Sequence, residues 1–218
     1  MSLSDLLKDD IDIHTRDNLA NPQTFERKEV KRRFVNGLKK EAMNKLIPTL
    51  PPITTDLYII GNGSGAEIKH GNISDAFDFG TFIPHLVELL GNVDIVAYVS
   101  TWAMNRNHAL NLLEMLDNGN IKTLTVVTDP YFTTRESAVA NTLIEGIQRH
   151  NQTFLTFKNH VKSICLLAPD GRTVTVTGSA NLSSQPRCEQ YILTTHPDVY
   201  NFFVDDFFEE MINRNVQK

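Results

Sequence analysis

Two short apolar segments, VDIVAYV at 93–99 and TLTVV at 123–127, each lie between stretches in which apolar residues have helical spacing. Strands that are apolar on both faces belong to sheets that are covered by helices on both sides. Continued along the chain, the pattern predicts helices at 79–90, 105–118 and 135–150 that alternate with strands at 93–100, 121–128 and 153–157. We therefore predict an α/β sandwich with a mixed, mostly parallel central sheet and helices on both faces.

The segments that flank this region complete the predicted organisation. Downstream, strands at 161–168 and 172–177 form a hairpin about Pro169-Asp170-Gly171, and a strand at 191–195 and a closing helix at 198–213 follow. Upstream, we predict a polar arm at 1–22, a basic amphipathic helix and proline-rich link at 23–52, and a main domain at 53–218 that begins with a strand at 56–60. In the helix, apolar residues recur every four positions, at Val30, Phe34, Leu38, Ala42 and Leu46.

The overall charge does not indicate a nucleic-acid-binding protein. The chain of 218 residues has a formal net charge of -5, so any polyanion has to meet a local basic patch. The densest basic cluster is KEVKRR at 28–33, for which a solvated helix face is the plainer interpretation. Further candidates for contact with nucleic acid are Arg135, Arg149, Lys158 and Arg187.

The sequence favours a cytoplasmic location. The first residues lack the continuous apolar core of a signal peptide, and no apolar run reaches the roughly 18 residues needed to cross a bilayer. Cys165 and Cys188 lie far apart without metal-ligand spacing, and we expect both to be small buried residues. We therefore expect no contact with a membrane.

Polar residues with a regular spacing flank the predicted hairpin. His160 and Lys162 are two positions apart at its start, and Ser179 and Asn181 follow its second strand with the same spacing. A neutral imidazole can attack phosphorus, an ammonium can neutralise phosphate oxygens, and hydroxyl and amide groups can hydrogen-bond those oxygens as charge builds. Glu189 can accept the other imidazole N–H and so fix the tautomer. The set predicts phosphoryl transfer.

This set resembles the signature of the phospholipase D superfamily, in which HxK is followed by a strand pair, then GSxN, then a glutamate. The matching residues are His160, Lys162, Gly178, Ser179, Asn181 and Glu189. The order of strands and helices from about residue 93 is also similar, whereas residues 1–55 have no counterpart in the family. The resemblance implies a phospholipase D-like sandwich and a reaction without a metal ion or organic cofactor. In that reaction one histidine forms a phosphohistidine, a second protonates the leaving group, and water hydrolyses the intermediate.

The chain holds a single copy of this set, since its other histidines lack a matching lysine and GSxN. The resemblance therefore implies a symmetric homodimer in which the two copies of His160 share one site, one as nucleophile and one as acid. Lys162, Ser179 and Asn181 are then expected to bind the scissile phosphate. Glu189 is expected to orient His160.

One position departs from the family's pattern. An aspartate usually stands five residues after the lysine, where this chain has Leu167, and Asp170 lies in the predicted turn instead. We interpret this as a longer hairpin in which Asp170 is a turn residue. Loss of catalysis is the alternative.

Trp102, just past the strand at 93–100, is predicted to bind substrate by stacking on a base at the rim of the site. A position in the core or at an interface between chains is the alternative for this side chain.

The function predicted from these residues is an endonuclease that cleaves DNA, with RNA as a second option. Small single-motif members of the family are more often nucleases, and the chain lacks the apolar surface of a lipid enzyme. Two alternatives stay open: a catalytically inactive nucleic-acid-binding module of the same fold, and a phosphodiesterase that acts on phospholipid or another small diester.

Overall fold

The computed structural model describes residue 41 and residues 43–62, 78–183 and 188–216. The strands in these ranges are β1 (Asp56–Asn62), β2 (Ile95–Thr101), β3 (Ile121–Thr128), β4 (Thr153–Thr156), β5 (Ser163–Leu167), β6 (Thr173–Gly178) and β7 (Cys188–Thr194). The helices are α1 (Phe82–Leu89), α2 (Arg106–Asp117), α3 (Pro130–Arg135), α4 (Ser137–Arg149), α5 (Pro197–Phe203) and α6 (Glu210–Val216). A 3-10 turn at Phe79–Thr81 precedes α1, and a π-helical segment at Val204–Glu209 joins α5 to α6.

These strands form one mixed sheet with the order β1-β7-β6-β5-β2-β3-β4. β3 runs parallel to β2 and β4, and helices make those connections. The other neighbouring strands are antiparallel. The predicted α/β class with a mixed sheet is confirmed, but the prediction that the sheet is mostly parallel is wrong. The reason is that the β5–β6 hairpin, its continuation into β7 and the edge strand β1 all add antiparallel pairs.

Helices cover both faces of this sheet, as predicted. Buried side chains along β5 alternate between two apolar clusters, with Ile164 and Leu166 in the larger one and Cys165, between them, in the smaller one. Alternation along a strand means that the two clusters lie on opposite faces. Helices α1, α2 and α4 contribute to the larger cluster, and α5, the π-helical segment and α6 contribute to the smaller one.

The boundaries of most elements follow the predicted pattern, and β3 spans the predicted range. The helix predicted at 135–150 is present as α4, but the prediction missed the short helix α3, which begins at Pro130 directly before it. Asp129 caps α3, since its side chain accepts a hydrogen bond from the N–H of Tyr131 at 2.8 Å. An Asp-Pro pair is a helix-start signal that apolar spacing alone does not contain.

The β5–β6 hairpin closes through a short turn in which Gly171 has a φ of 87°. Its hydrogen bonds run from the Ala168 N–H to the Arg172 carbonyl at 2.9 Å and from the Gly171 N–H to the Ala168 carbonyl at 3.0 Å. Asp170 is exposed in this turn, where it accepts a hydrogen bond from Arg172 Nε at 2.8 Å. The interpretation of Asp170 as a turn residue is confirmed, whereas the view that the hairpin is longer than is usual in the family stays a prediction.

The N-terminal predictions lie almost entirely outside the described residues. These include the arm at 1–22 and the basic helix as far as residue 40. Residues 41 and 43–46 are helical, and Met43 and Ile47 are buried in the larger core cluster. The division of the chain at residues 22 and 52 stays a prediction. Among the described residues, no helix has both the length and the apolar character that a membrane span requires.

Candidate active site

The residues of the predicted site lie in or next to the ends of three neighbouring strands, at the end of the sheet opposite the hairpin turn. Lys162 leads into β5, Ser179 follows β6, and Glu189 is in β7. Backbone hydrogen bonds join the three segments, from the Gly178 N–H to the Lys162 carbonyl at 3.3 Å and from the Ser179 N–H to the Gln190 carbonyl at 3.0 Å. The sheet therefore brings the HxK, GSxN and glutamate segments side by side.

Gly178 is needed for this close approach. A Cβ atom at this position would lie 2.6 Å from the carbonyl oxygen of Gln190 and 2.8 Å from the ring of Tyr191. Both distances are shorter than a non-bonded carbon contact allows, so any other residue would push β6 away from β7. The glycine of the GSxN segment thus has a packing reason in this structure.

His160 and Lys162 contact each other directly. The Lys162 ammonium donates a hydrogen bond to the His160 carbonyl oxygen at 2.7 Å, and its Nζ lies 3.2 Å from His160 Nδ1. His160 is exposed, whereas Lys162 is only 5% exposed. The site therefore presents a solvent-accessible imidazole beside a largely buried cation.

The burial of Lys162 has an electrostatic cost. Burial lowers the pKa of its ammonium below the ordinary value, because desolvation disfavours the charged form, and the carboxylate of Glu189 acts in the opposite direction. Desolvation therefore disfavours the charged form of Lys162 at this position. Anionic phosphate oxygens are the kind of group that such a cation attracts.

Ser179 and Glu189 form a second contact on the neighbouring strands. The Ser179 hydroxyl donates a hydrogen bond to the Glu189 carboxylate and accepts one from the Gln190 N–H at 3.1 Å. Within the ranges that the structure describes, no hydrogen bond joins Glu189 to His160. The role of Glu189 in orienting His160 stays a prediction, and in this single chain its carboxylate instead holds Ser179 and attracts Lys162.

Asn181 lies in a segment that is fixed to the end of β2. The next residue, Leu182, donates its N–H to Thr101 Oγ1 at 3.0 Å and accepts the Asn105 N–H at 2.8 Å. The Asn181 Oδ1 atom is buried and has no hydrogen-bond partner among the described residues. A buried polar atom without a partner is unusual in a folded protein and costs stability.

Sequence reasoning missed the residues that hold the His160 segment in place. The Asn159 side chain donates to Ser100 Oγ at 2.8 Å and accepts the Val161 N–H at 2.9 Å. Its backbone N–H donates to Asp129 Oδ2 at 3.1 Å. Asn159 is buried in the structure. In the sequence, the only signal for this role is that a polar residue stands directly before HxK.

Trp102 lies near His160, with ring centroids 6.3 Å apart. The indole stacks on Tyr131 at a centroid distance of 4.2 Å and an interplanar angle of 17°. Sequence reasoning did not single out Tyr131, because nothing in its local pattern distinguishes it from a core aromatic residue.

The other basic residues that were candidates for contact with nucleic acid are spread over the chain. Arg149 is close to Asp117 at 3.7 Å on the exposed side of α4, Lys158 is exposed near His160, and Arg187 and the 28–33 cluster lie outside the described residues. Cys165 is buried, as expected, and burial raises the pKa of its thiol to about 12. Within the described part of the chain, no cluster of three or more His, Cys, Asp or Glu side chains could hold a metal ion.

Comparison with known proteins gives similar structures at low identity. No family model and no curated protein sequence matches the chain. TrmBL2, an archaeal chromatin protein with a novel mode of DNA binding, is 14% identical over 91% of this chain and 65% of its own, with a TM-score of 0.43. Yeast tyrosyl-DNA phosphodiesterase is 11% identical over 64% of this chain and 31% of its own, with a TM-score of 0.35. A histidine-to-alanine mutant of the yeast enzyme is 12% identical over 76% of this chain and 55% of its own, with a TM-score of 0.37.

The chain therefore spans between about a third and two thirds of the length of these proteins. At such identities and scores, none of the similarities identifies the reaction or the reacting residues of this chain.

Proposed function

We propose that this chain hydrolyses phosphodiester bonds in nucleic acid, DNA or RNA, through a phosphohistidine at His160 in an active site that two copies of the chain share. The observation that carries the proposal is Lys162, a cation that is only 5% exposed and lies beside an exposed imidazole. A purely structural lysine is rarely buried in this way, since Lys is among the residues least often found inside proteins.

The chemistry proceeds in two displacements. In the first, the Nε2 lone pair of His160 attacks phosphorus, the bond from phosphorus to the leaving oxygen breaks, and the partner's His160 gives a proton to that oxygen. In the second, water attacks phosphorus, loses a proton to the same acid-base group, and releases His160. Lys162, Ser179 and Asn181 stabilise the charge on the non-bridging oxygens in both steps.

Bound substrate changes the contact between Lys162 and His160. While the ammonium donates to Nδ1, the imidazole carries its proton on Nε2 and has no lone pair there for the attack. Phosphate oxygens compete for the ammonium, because its hydrogen bond to an anionic oxygen is stronger than the 3.2 Å contact with the neutral Nδ1 atom. Nδ1 is then free to carry the proton, and a carboxylate such as that of Glu189 is a suitable acceptor for it.

A second copy of the chain supplies the proton for the leaving group. The chain has one HxK and GSxN set, and a two-fold axis through the site places two identical sets face to face. We expect a particle of twice the 24.6 kDa chain mass in light scattering, and an active monomer would exclude the shared site.

The experiment that tests the proposal is cleavage of single-stranded and duplex DNA and RNA in excess EDTA. The native chain is compared with His160→Ala and with His196→Ala, a matched loss of a histidine at the start of α5, directly after the strand β7. We expect cleavage that survives chelation, disappears in His160→Ala and persists in His196→Ala.

Other outcomes favour the alternatives. Cleavage that needs a metal ion would exclude the histidine mechanism. Equal nucleic-acid binding by native chain and His160→Ala with no cleavage by either would indicate a binding module. Turnover of a small chromogenic diester or phospholipid without nucleic-acid affinity would indicate a small-diester enzyme.

A further inference from the structure

Three side chains form a continuous stack beside His160. Trp102 lies on Tyr131 at 4.2 Å with nearly parallel rings, and the guanidinium carbon of Arg135 lies over the Tyr131 ring, 5.2 Å from its centroid. We name this arrangement the Trp102–Tyr131–Arg135 stack; one face of its indole remains uncovered by Tyr131.

The stack is not part of either apolar core. In the larger apolar cluster, the aromatic pairs of the described residues, such as Phe79 with Tyr191, consist of rings that are at most 2% exposed. Trp102 and Tyr131 are partly exposed, Arg135 is exposed, and neither ring belongs to the two apolar clusters. Two large aromatic rings that stack at the surface next to a reactive imidazole therefore need an explanation other than packing.

A single carboxylate fixes the position of the stack relative to His160. Asp129 accepts the Tyr131 N–H on Oδ1 at 2.8 Å and the Asn159 N–H on Oδ2 at 3.1 Å. Asp129 thus joins the start of α3 to the residue before His160. On the other side, Thr101 Oγ1 donates to the Ala103 carbonyl at 2.8 Å and so closes the turn that carries Trp102. Both rings are held in place before any ligand binds.

This chemistry fits the flat face of a nucleic-acid base. Bases stack on aromatic side chains without regard to sequence, because every base has a π-face, and a nearby arginine adds a cation–π contribution and attracts the phosphate backbone. The Tyr131 contact holds the indole plane, so less conformational entropy is lost when a base binds. A base inside a duplex has both faces covered by its neighbours, whereas an unpaired base has a face to offer.

We infer that the Trp102–Tyr131–Arg135 stack binds an unpaired base next to the scissile phosphate, which makes single-stranded nucleic acid the substrate class of this site. The inference rests on the proposed function in one respect, namely that the phosphate next to the bound base is the one that is cleaved. Binding of the base itself does not depend on catalysis.

Trp102 is the only tryptophan in the chain, so tryptophan emission reports on this stack alone. The His160→Ala chain, which has no imidazole at position 160 to attack the ligand, is titrated with a single-stranded oligothymidylate of roughly ten nucleotides. The same titration uses an abasic strand of equal length and charge, and a blunt duplex. We expect saturable quenching by the oligothymidylate and little by the other two ligands.

Substitutions separate the stack from a general basic surface. Tyr131→Ala is expected to weaken oligothymidylate binding between about fivefold and a hundredfold, and Tyr131→Phe, which keeps the ring, is expected to restore it. Tyr58→Ala is the matched control, because Tyr58 is 69% exposed on the edge strand at the other side of the sheet. Circular dichroism of each variant verifies folding.

Two results would overturn the inference. Equal quenching by the abasic strand would mean that the site reads the backbone and not the base. Absence of quenching by any ligand would mean that the indole face is covered in solution, for example by a second copy of the chain. If the native chain fails to cleave in EDTA while base-dependent quenching is present, the proposed function fails and the base site stands.

Discussion

The two ends of the β5–β6 hairpin belong to the same pair of strands, but their charged side chains differ in burial and in pairing. At the turn, Asp170 and Arg172 form an exposed ion pair at 2.8 Å, and the Arg172 backbone N–H and side chain lower the pKa of the carboxyl. At the other end, Lys162 is buried and its pKa is lowered by that burial. Charge at the turn is solvated and paired, whereas charge at the open end is desolvated.

We interpret this difference as one between residues that serve folding and residues of the proposed site. The turn satisfies its backbone locally and uses a glycine, Gly171, for its positive φ. The open end keeps a buried cation, an exposed imidazole at His160 and a buried unpartnered oxygen at Asn181; the two buried groups cost stability. Such costs are typical of functional sites, where binding of a ligand offsets them.

The largest expected effect is the loss of activity in Lys162→Met. The variant removes the cation that stabilises the phosphate oxygens, so we expect cleavage to fall by about 10²- to 10³-fold. Because a buried charge is replaced by an apolar chain, the midpoint of thermal unfolding should stay the same or rise. Lys122→Met, an equal loss of charge at an exposed position on β3, should change neither quantity. If Lys162→Met kept full activity, the charge at the open end of the hairpin would have no more role in catalysis than the charges at the turn.

The same variant gives a pH dependence that sharpens the comparison. The pKa of Lys162 in the folded chain lies below its ordinary value of 10.5. The cost of burying the charge is therefore fully present below the folded-state pKa and disappears as pH rises toward 10.5. Within that window, the free energy of unfolding of the native chain should rise relative to Lys162→Met by up to about 1.4 kcal/mol per pH unit.

Urea unfolding of both chains between neutral and alkaline pH measures this difference. At the turn, Asp170→Asn is the counterpart. In the native chain the pKa of the Asp170 carboxyl is lowered. Its small contribution to stability is therefore present above the unfolded-state pKa and is lost only as pH falls into the acid range. If the difference in the free energy of unfolding between the native chain and Lys162→Met stays constant across alkaline pH, burial does not shift the pKa of Lys162.

Asn159→Ala is expected to lower activity less than Lys162→Met does, but it should also destabilise the fold. It removes the hydrogen bonds to Ser100 and from Val161 and leaves buried groups unpaired, which costs about 1–3 kcal/mol. Cleavage should fall because the His160 segment loses its support.

Ser100→Ala removes only one of these partners and serves as the matched variant. Combined in a double-mutant cycle, the two substitutions should show coupling, because the side chains contact each other at 2.8 Å. Additive effects on both stability and cleavage would exclude a positioning role for Asn159.

The smallest effect is expected at the hairpin turn. Gly171→Ala forces a side chain into a positive φ and should destabilise the fold by about 1 kcal/mol, with no change in cleavage per folded molecule. Chemical unfolding and active-site titration measure the two quantities. If Gly171→Ala impaired cleavage as Lys162→Met does, the turn would belong to the site.

Much of the fold was predictable because its signals are local. Apolar runs, helical spacing and the Pro169-Asp170-Gly171 turn depend on residues that are near one another along the chain, and the corresponding elements are present. The direction in which strands pair is not local. The prediction of a mostly parallel sheet was wrong because hairpin and edge pairing depend on which strands become neighbours.

By itself, the sequence determined the residue types and spacing of the candidate site, His160 with Lys162 and Ser179 with Asn181, and the two strands of the hairpin that they flank. Only the tertiary structure decided how deeply Lys162 is buried, that Ser179 is the partner of Glu189, and which distant residues support the site. Asn159 contacts Ser100 across 59 positions of sequence, and its N–H reaches Asp129 across 30. The physical reason is that burial and long-range hydrogen bonds arise from the order of strands in the sheet, which places β5 between β6 and β2, and no periodicity along the chain encodes that order.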